Sequence, residues 1–168
     1  MLIDSYRFLP RSFQPMYANA QPVEGETEAV WAPFEKRLAD ARIALVTSAG
    51  LSLSGEQDPF DLARERSEPT WGDPSFRVLP HALAGRELAM SHLHVNNTDV
   101  LADHNIALPT DVLDDVVADG AVASAAPRHF SVMGYQESGV RAWREETGPA
   151  IVELLRDDRV DGVVLAPV

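Results

Sequence analysis

Apolar residues come in short blocks along this chain, with no single long period. "ARIALVTSAG" holds Ile43, Ala44, Leu45 and Val46 in one run that closes on small residues and Gly50, the pattern of a buried parallel strand. Ahead of it, "EAVWAPFEKRLA" (28–39) spaces Val30, Trp31, Phe34 and Leu38 at near-helical intervals behind a Thr27 N-cap, and predicts a helix with Pro33 in its first turns. Residues 51–80 carry Gly55, Pro59, Pro69, Gly72, Pro74 and Pro80, which predicts a turn-rich excursion with at most a short helix over Phe60–Arg66. "ELAMSHLHV" (87–95) alternates and predicts a second strand, with His92 and His94 on one face. Thr110 as N-cap, Val112, Leu113, Val116 and Val117 on one face and Gly120 at the C-cap mark the clearest helix. "AVASAAP" predicts a third strand running into the loop "RHFSVMGYQ". Val140–Arg156 predicts a longer helix that Gly148-Pro149 kinks or divides, and "VDGVVLAPV" a fourth strand.

Helices alternating with short apolar strands predict an α/β fold: an open, mainly parallel sheet with helices on both faces, doubly wound and flavodoxin- or Rossmann-like. Residues 1–27 are Pro-rich and bear Tyr6, Phe8, Phe13, Met16 and Tyr17. They are expected to form an irregular N-terminal arm, packed on the chain's own core or on a second subunit, leaving 28–168 as the α/β domain. The 168 residues suffice for one domain with a real core. A net charge of -12, from 14 Lys and Arg against 26 Asp and Glu, argues against a nucleic-acid partner. The N-terminus lacks the apolar run of a signal peptide and no stretch has the length of a membrane helix, so a cytoplasmic protein without membrane contact is expected. The absence of cysteine excludes disulfides, thiolate metal sites and thiol catalysis within this sequence.

Open parallel sheets bind ligands beyond the C-terminal ends of their strands, which makes "TSAG", "HVNNTD", "APRHFSVMG" and "LAPV" the segments to search. His-x-His is a metal-ligand spacing, and Asp99, Asp103 or His104 could complete a site with His92 and His94. The same two histidines suit substrate binding or proton transfer, or are plain buried or surface side chains. Arg128 has the geometry to grip a substrate carboxylate or to pair with an acidic side chain; His129 to move protons or to cap a loop. Ser48 brings a hydroxyl to the end of the first strand. Phosphate-binding glycine motifs, H-E-x-x-H and G-x-S-x-G are absent, and the sole lysine, Lys36, gives a Schiff-base mechanism little support.

Together, "RIALVTSAGLSL", "DPSFRVLP", "MSHLHVNNTDVLADHNIALPTDVLDDVVADGAVASAAPRHFSVMGYQ" and "DGVVLAPV" resemble the selenoprotein B family of glycine, sarcosine, betaine and D-proline reductases over residues 41–168. The resemblance implies a subunit that helps cleave a carbon–nitrogen bond reductively. It places a selenocysteine, or a cysteine in some members, immediately after a strand like "DGVVLAPV", and a pyruvoyl group on a partner subunit that activates the substrate amine. It also implies a strand-end cleft lined by His92, His94, Asp99, Arg128 and His129. On that basis Arg128, His92, Asp99 and Ser48 are expected to bind an amino-acid-like substrate, and His94 and His129 to transfer protons. The selenocysteine is expected just after Val168, behind an in-frame UGA codon, with a C-terminal βα portion missing. The chain as given is then expected to carry no cofactor, to be inactive in selenol or thiol chemistry, and to form a homo-oligomer over the apolar surface left open. The other reading is a non-redox small-molecule or metal-binding module using the His92/His94 cleft.

Overall fold

The computed structural model describes residues 32–68, 71–93, 95–136 and 140–168, and those from Phe34 to Val168 form one compact unit. The predicted arm over 1–27 lies outside the described residues. Strand β1 (Arg42–Thr47) is the axis of the unit, with Ile43, Ala44, Leu45 and Thr47 buried. Strand β7 (Gly162–Ala166) runs parallel to it over five consecutive residue pairs, from Ile43↔Gly162 to Thr47↔Ala166. A strand has only two edges, so β5 (Ser124–Ala125) and β6 (Arg128–Val132), both parallel to β1, share the other edge in succession. Strand β3 (Phe76–Pro80) then adds to β6 antiparallel.

The sheet is therefore mixed, which corrects the mainly parallel, flavodoxin-like architecture that the sequence predicts. The antiparallel strand comes from the Pro-rich excursion, where Pro80 closes β3 at the edge position that tolerates a residue without an N–H. The excursion also holds β2 (Leu51–Leu53), which pairs antiparallel with β4 (Leu88–Met90) in a separate two-stranded ribbon. The strand predicted over 87–95 thus stops at Met90 and belongs to this ribbon. The loop predicted over "RHFSVMGYQ" is instead β6, with all but its first residue buried.

The helices follow the sequence more closely. Helix α1 (Leu62–Ser67) is capped by the Asp61 carboxylate, which accepts from the Arg64 N–H. Helix α2 (Asn97–Ala102) is capped likewise by Asn96. Helix α3 (Thr110–Ala118) ends as predicted at Gly120, whose φ of 72° lets its N–H reach the Val117 carbonyl while the Ala121 N–H reaches that of Val116. In the last helical stretch, α4 (Val140–Ala142) passes through a π segment (Trp143–Thr147) into α5 (Gly148–Asp157). A wide turn thus absorbs Gly148-Pro149. The helix predicted over 28–39 does not form across 32–37, and only a 3-10 turn, Leu38–Asp40, is present. Every residue from Ala32 to Asp40 is exposed, so no buried apolar face supports a helix interrupted by Pro33.

Alternation along the strands sends successive side chains to opposite faces. On one face Ile43, Leu45 and Leu79 pack with Leu113, Val116 and Val117 of α3; on the other Val46, Phe130 and Val132 pack with Ile151, Leu154 and Leu155 of α5. Among the described residues no helix is long and apolar enough to cross a membrane.

Gly50 turns the chain from β1 into β2 with φ at 64°, and a Cβ there would collide with the Ser91 carbonyl and the Met133 sulfur. Gly50→Ala is therefore expected to lower the unfolding free energy by roughly 3 kcal/mol in urea titration, through left-handed backbone strain plus overpacking. Gly120→Ala, with a similar φ but no atom within 4 Å of the new Cβ, should lose only about 1 kcal/mol. Equal losses would contradict the close-approach argument.

Candidate functional site

The C-terminal ends of β1, β6 and β7 meet in a platform built almost entirely of backbone. Past β1, the Ser48 N–H donates to the Ala166 carbonyl (3.2 Å), the Gly50 N–H to that of Val132 (3.0 Å) and the Gly134 N–H to that of Ser48 (3.1 Å). The Ser91 N–H, just past β4, donates to the Gly50 carbonyl at 2.8 Å. Beneath the platform the buried Ser131 hydroxyl accepts from the Leu51 N–H at 2.6 Å. At its outer side the Ser48 hydroxyl accepts the Val168 N–H at 2.8 Å and faces the Val168 carbonyl at 3.4 Å, fixing the backbone just past β7. Gly134 approaches this segment closely, since a Cβ there would stand 3.2 Å from Ser48 Cβ and Oγ.

Next to the platform opens a cleft of about 420 Å³ lined by Pro59, Phe60, Asp61, Leu62, Ala63 and Ser91. Its wall is held by Asp73, whose carboxylate accepts from the Asp61 and Ser75 amides (2.9 Å each) and from the Ser75 hydroxyl. Burial pushes the Asp73 pKa up, but the Ser75 hydroxyl, these two amides and Arg77 outweigh it and hold the carboxyl below its usual range. Arg77 itself lies 4.2 Å over the Phe60 ring and donates to the Asp58 and Pro59 carbonyls. Platform and cleft thus offer serine hydroxyls and an apolar wall, and Asp61 is spent on capping α1.

A second polar cluster lies lower in the sheet. Ile43 is aligned with Ala125 but Val46 with Phe130, so three steps along β1 match five along its partner and two residues are looped out around Pro127. In this gap the Leu45 N–H has no ladder carbonyl and donates to His129 Nδ1 at 3.0 Å. His129 Nε2 lies 2.8 Å from His81 Nδ1, and His81 Nε2 lies 2.8 Å from Asp114 Oδ1 on α3. Burial first, then the neighbouring His81, pushes the His129 pKa down to about 4, against the opposing pull of Asp114.

The structure separates the residues singled out in the sequence. Ser48 stands at the platform. His92 follows Ser91, half-buried and past the end of β4, so no strand pairs it with His94; His94 itself lies outside the described residues. Asp99 is exposed in the first turn of α2. Arg128 and His129 belong to the first half of β6, a correction to their placement in a strand-end loop. Arg128 is held by both Asp158 oxygens (2.7 and 2.8 Å) on the α5 side, and His129 is wholly buried on the α3 side. Among the described residues no group of three or more His, Asp, Glu or Cys side chains is placed to hold a metal ion. Lys36 is engaged by Asp161 at 2.8 Å. His81 and Asp114 escaped the sequence reading: they are 33 residues apart, and the one signal was a histidine directly after Pro80.

The chain belongs to the glycine/sarcosine/betaine reductase selenoprotein B family, whose model matches residues 16–168. It is 35% identical over 136 residues to the D-proline reductase subunit gamma of Acetoanaerobium sticklandii, an alignment covering 81% of this chain and 52% of that relative. The chain spans about half the length of this relative. No solved structure matches it.

Ser48→Ala removes the acceptor of the Val168 N–H. Hydrogen exchange is expected to show the Val168 amide opening roughly fivefold more readily, as for the loss of one partly solvated bond, with β1 amides unchanged. An unchanged Val168 rate would show that Ser48 does not anchor this segment.

Proposed function

We propose that this chain is the selenoprotein B-type portion of a reductase that cleaves a carbon–nitrogen bond in an amino acid or related amine, and that the platform past β1, β6 and β7 is the floor of its site. The observation that supports this reading is the convergence of three segments, all within the family match, at one edge of the sheet: Ser48–Gly50, Met133–Gly134 and Ala166–Val168. In this reading Ser48 positions the backbone past β7, where the family's selenol or thiol would stand. The adjoining cleft, with Ser91 and the Phe60 wall, receives the substrate. His92, next to Ser91 in the chain, is the candidate for proton transfer.

The reaction replaces a carbon–nitrogen bond with a carbon–hydrogen and a nitrogen–hydrogen bond. It consumes two electrons and two protons, which a dithiol supplies on becoming a disulfide. With no cysteine among the 168 residues, the chalcogen nucleophile comes from outside this sequence. By the same resemblance a pyruvoyl group on a partner subunit supplies a carbonyl to activate the substrate amine. The platform's part is orientation: its amides are tied to acceptors within the chain, and it has no titratable side chain of its own.

The test isolates the tagged chain from its own host together with whatever assembles on it, and follows dithiol oxidation with glycine, sarcosine, betaine and D-proline in turn. Oxidation dependent on one of these substrates is expected from the assembly and none from the chain alone. Turnover by the chain alone, or an assembly inert toward all four, would overturn the proposal.

A further inference from the structure

We propose that Leu45, His129, His81 and Asp114 form an acid-sensitive clasp that ties β1, β6, the end of β3 and α3 together and opens when a third proton enters the imidazole pair. The argument is a count of protons. Because the Leu45 N–H points at His129 Nδ1 from 3.0 Å, that nitrogen is an acceptor and carries no hydrogen. Neutral His129 then holds its proton on Nε2 and donates it to His81 Nδ1, 2.8 Å away. His81 in turn holds its proton on Nε2 and donates to Asp114 Oδ1 at 2.8 Å. One backbone hydrogen and two ring hydrogens thus meet three acceptors, and the tautomer of each ring is dictated by a main-chain donor.

A third ring proton has nowhere to go. On His129 Nδ1 it would face the Leu45 N–H; on His81 Nδ1 it would face the His129 Nε2–H. Either way a hydrogen bond of the chain must break. The groups acting electrostatically on His129 are His81, from beyond β3, and Asp114, from α3; β1 presents only its backbone. Arg128, the charged neighbour on β6, points to the other face, where Asp158 holds it. The His81 side chain is 21% exposed and that of Asp114 64%, so protons reach the pair from the α3 side. The His129 pKa near 4 lies below the ordinary 6.5. The unfolded chain therefore binds more protons between those values, and stability present above pH 6.5 is lost as the pH falls toward 4.

The experiment records the imidazole nitrogen resonances and the Leu45 amide protection of the full chain between pH 7 and 4. Nε2–H tautomers of both rings are expected at pH 7, with Leu45 protection falling at least tenfold as the rings titrate. His129→Asn keeps an oxygen for the Leu45 N–H but removes the ring, and should abolish the acid-dependent loss. Asp114→Asn, at an exposed position that leaves folding intact, should move the opening to lower pH by removing the charge that favours the protonated ring. An Nδ1–H tautomer of neutral His129, a Leu45 amide whose protection is unchanged as His129 takes up its proton, or an opening pH unmoved by Asp114→Asn would each overturn the proposal.

Discussion

One backbone donor without a backbone partner shapes the centre of this molecule. At Pro127 the strand beside β1 has no N–H to give and loops out, and the Leu45 N–H would be left buried and unpaired, a loss of about 1–3 kcal/mol. His129 offsets it with a side-chain nitrogen at 3.0 Å, so a polar residue is required inside the sheet. Because the loop adds two residues, an even number, β6 keeps its facing. Phe130 and Val132 still meet α5, while His129 and Ser131 still point the other way. The same shift carries Met133 and Gly134 along β1 until they lie against Ala49 and Ser48. The bulge in mid-sheet and the platform at its end are thus two results of one change in register.

The platform and the imidazole pair divide the polar work of the unit. The platform is rigid, closely approached and free of titratable side chains, which suits holding a reacting segment in one orientation. The imidazole pair is titratable and lies below it in the same sheet, attached through Leu45 to the strand that ends at Ser48. Any loosening at Leu45 is therefore three residues from the platform, along a single extended strand.

Where the sequence could be read, local chemistry sufficed. Ile43–Val46 and the residues before Pro167 are apolar runs and became β1 and β7; Gly120 was required by its helix end and closes α3. Ser48 could be placed at the end of β1 because it follows a legible strand. Strand β6 was hidden because Arg128, His129 and Ser131 look like loop residues until their partners are known: Asp158, the Leu45 amide and the Leu51 amide, between 30 and 84 residues away. No local pattern carries such pairings. Strand β3 was masked by the prolines around it, and its antiparallel direction, set by pairing with β6, made the sheet mixed. The opposite error arose over 32–39 of the helix predicted at 28–39, where helical spacing was present but every residue is exposed.

On β7, Val163, Val164 and Leu165 are 39%, 48% and 71% exposed, and Val164 borders a groove of about 280 Å³ that it shares with Leu38, Val112 and Val116. β7 is thus the strand least covered by the described residues. β7 is bonded to β1 along its whole length, so a surface that covered these side chains would bind only the assembled sheet and would add its own binding free energy to folding. The stability of this unit would then be a shared quantity, set jointly by the chain and by the surface laid against it.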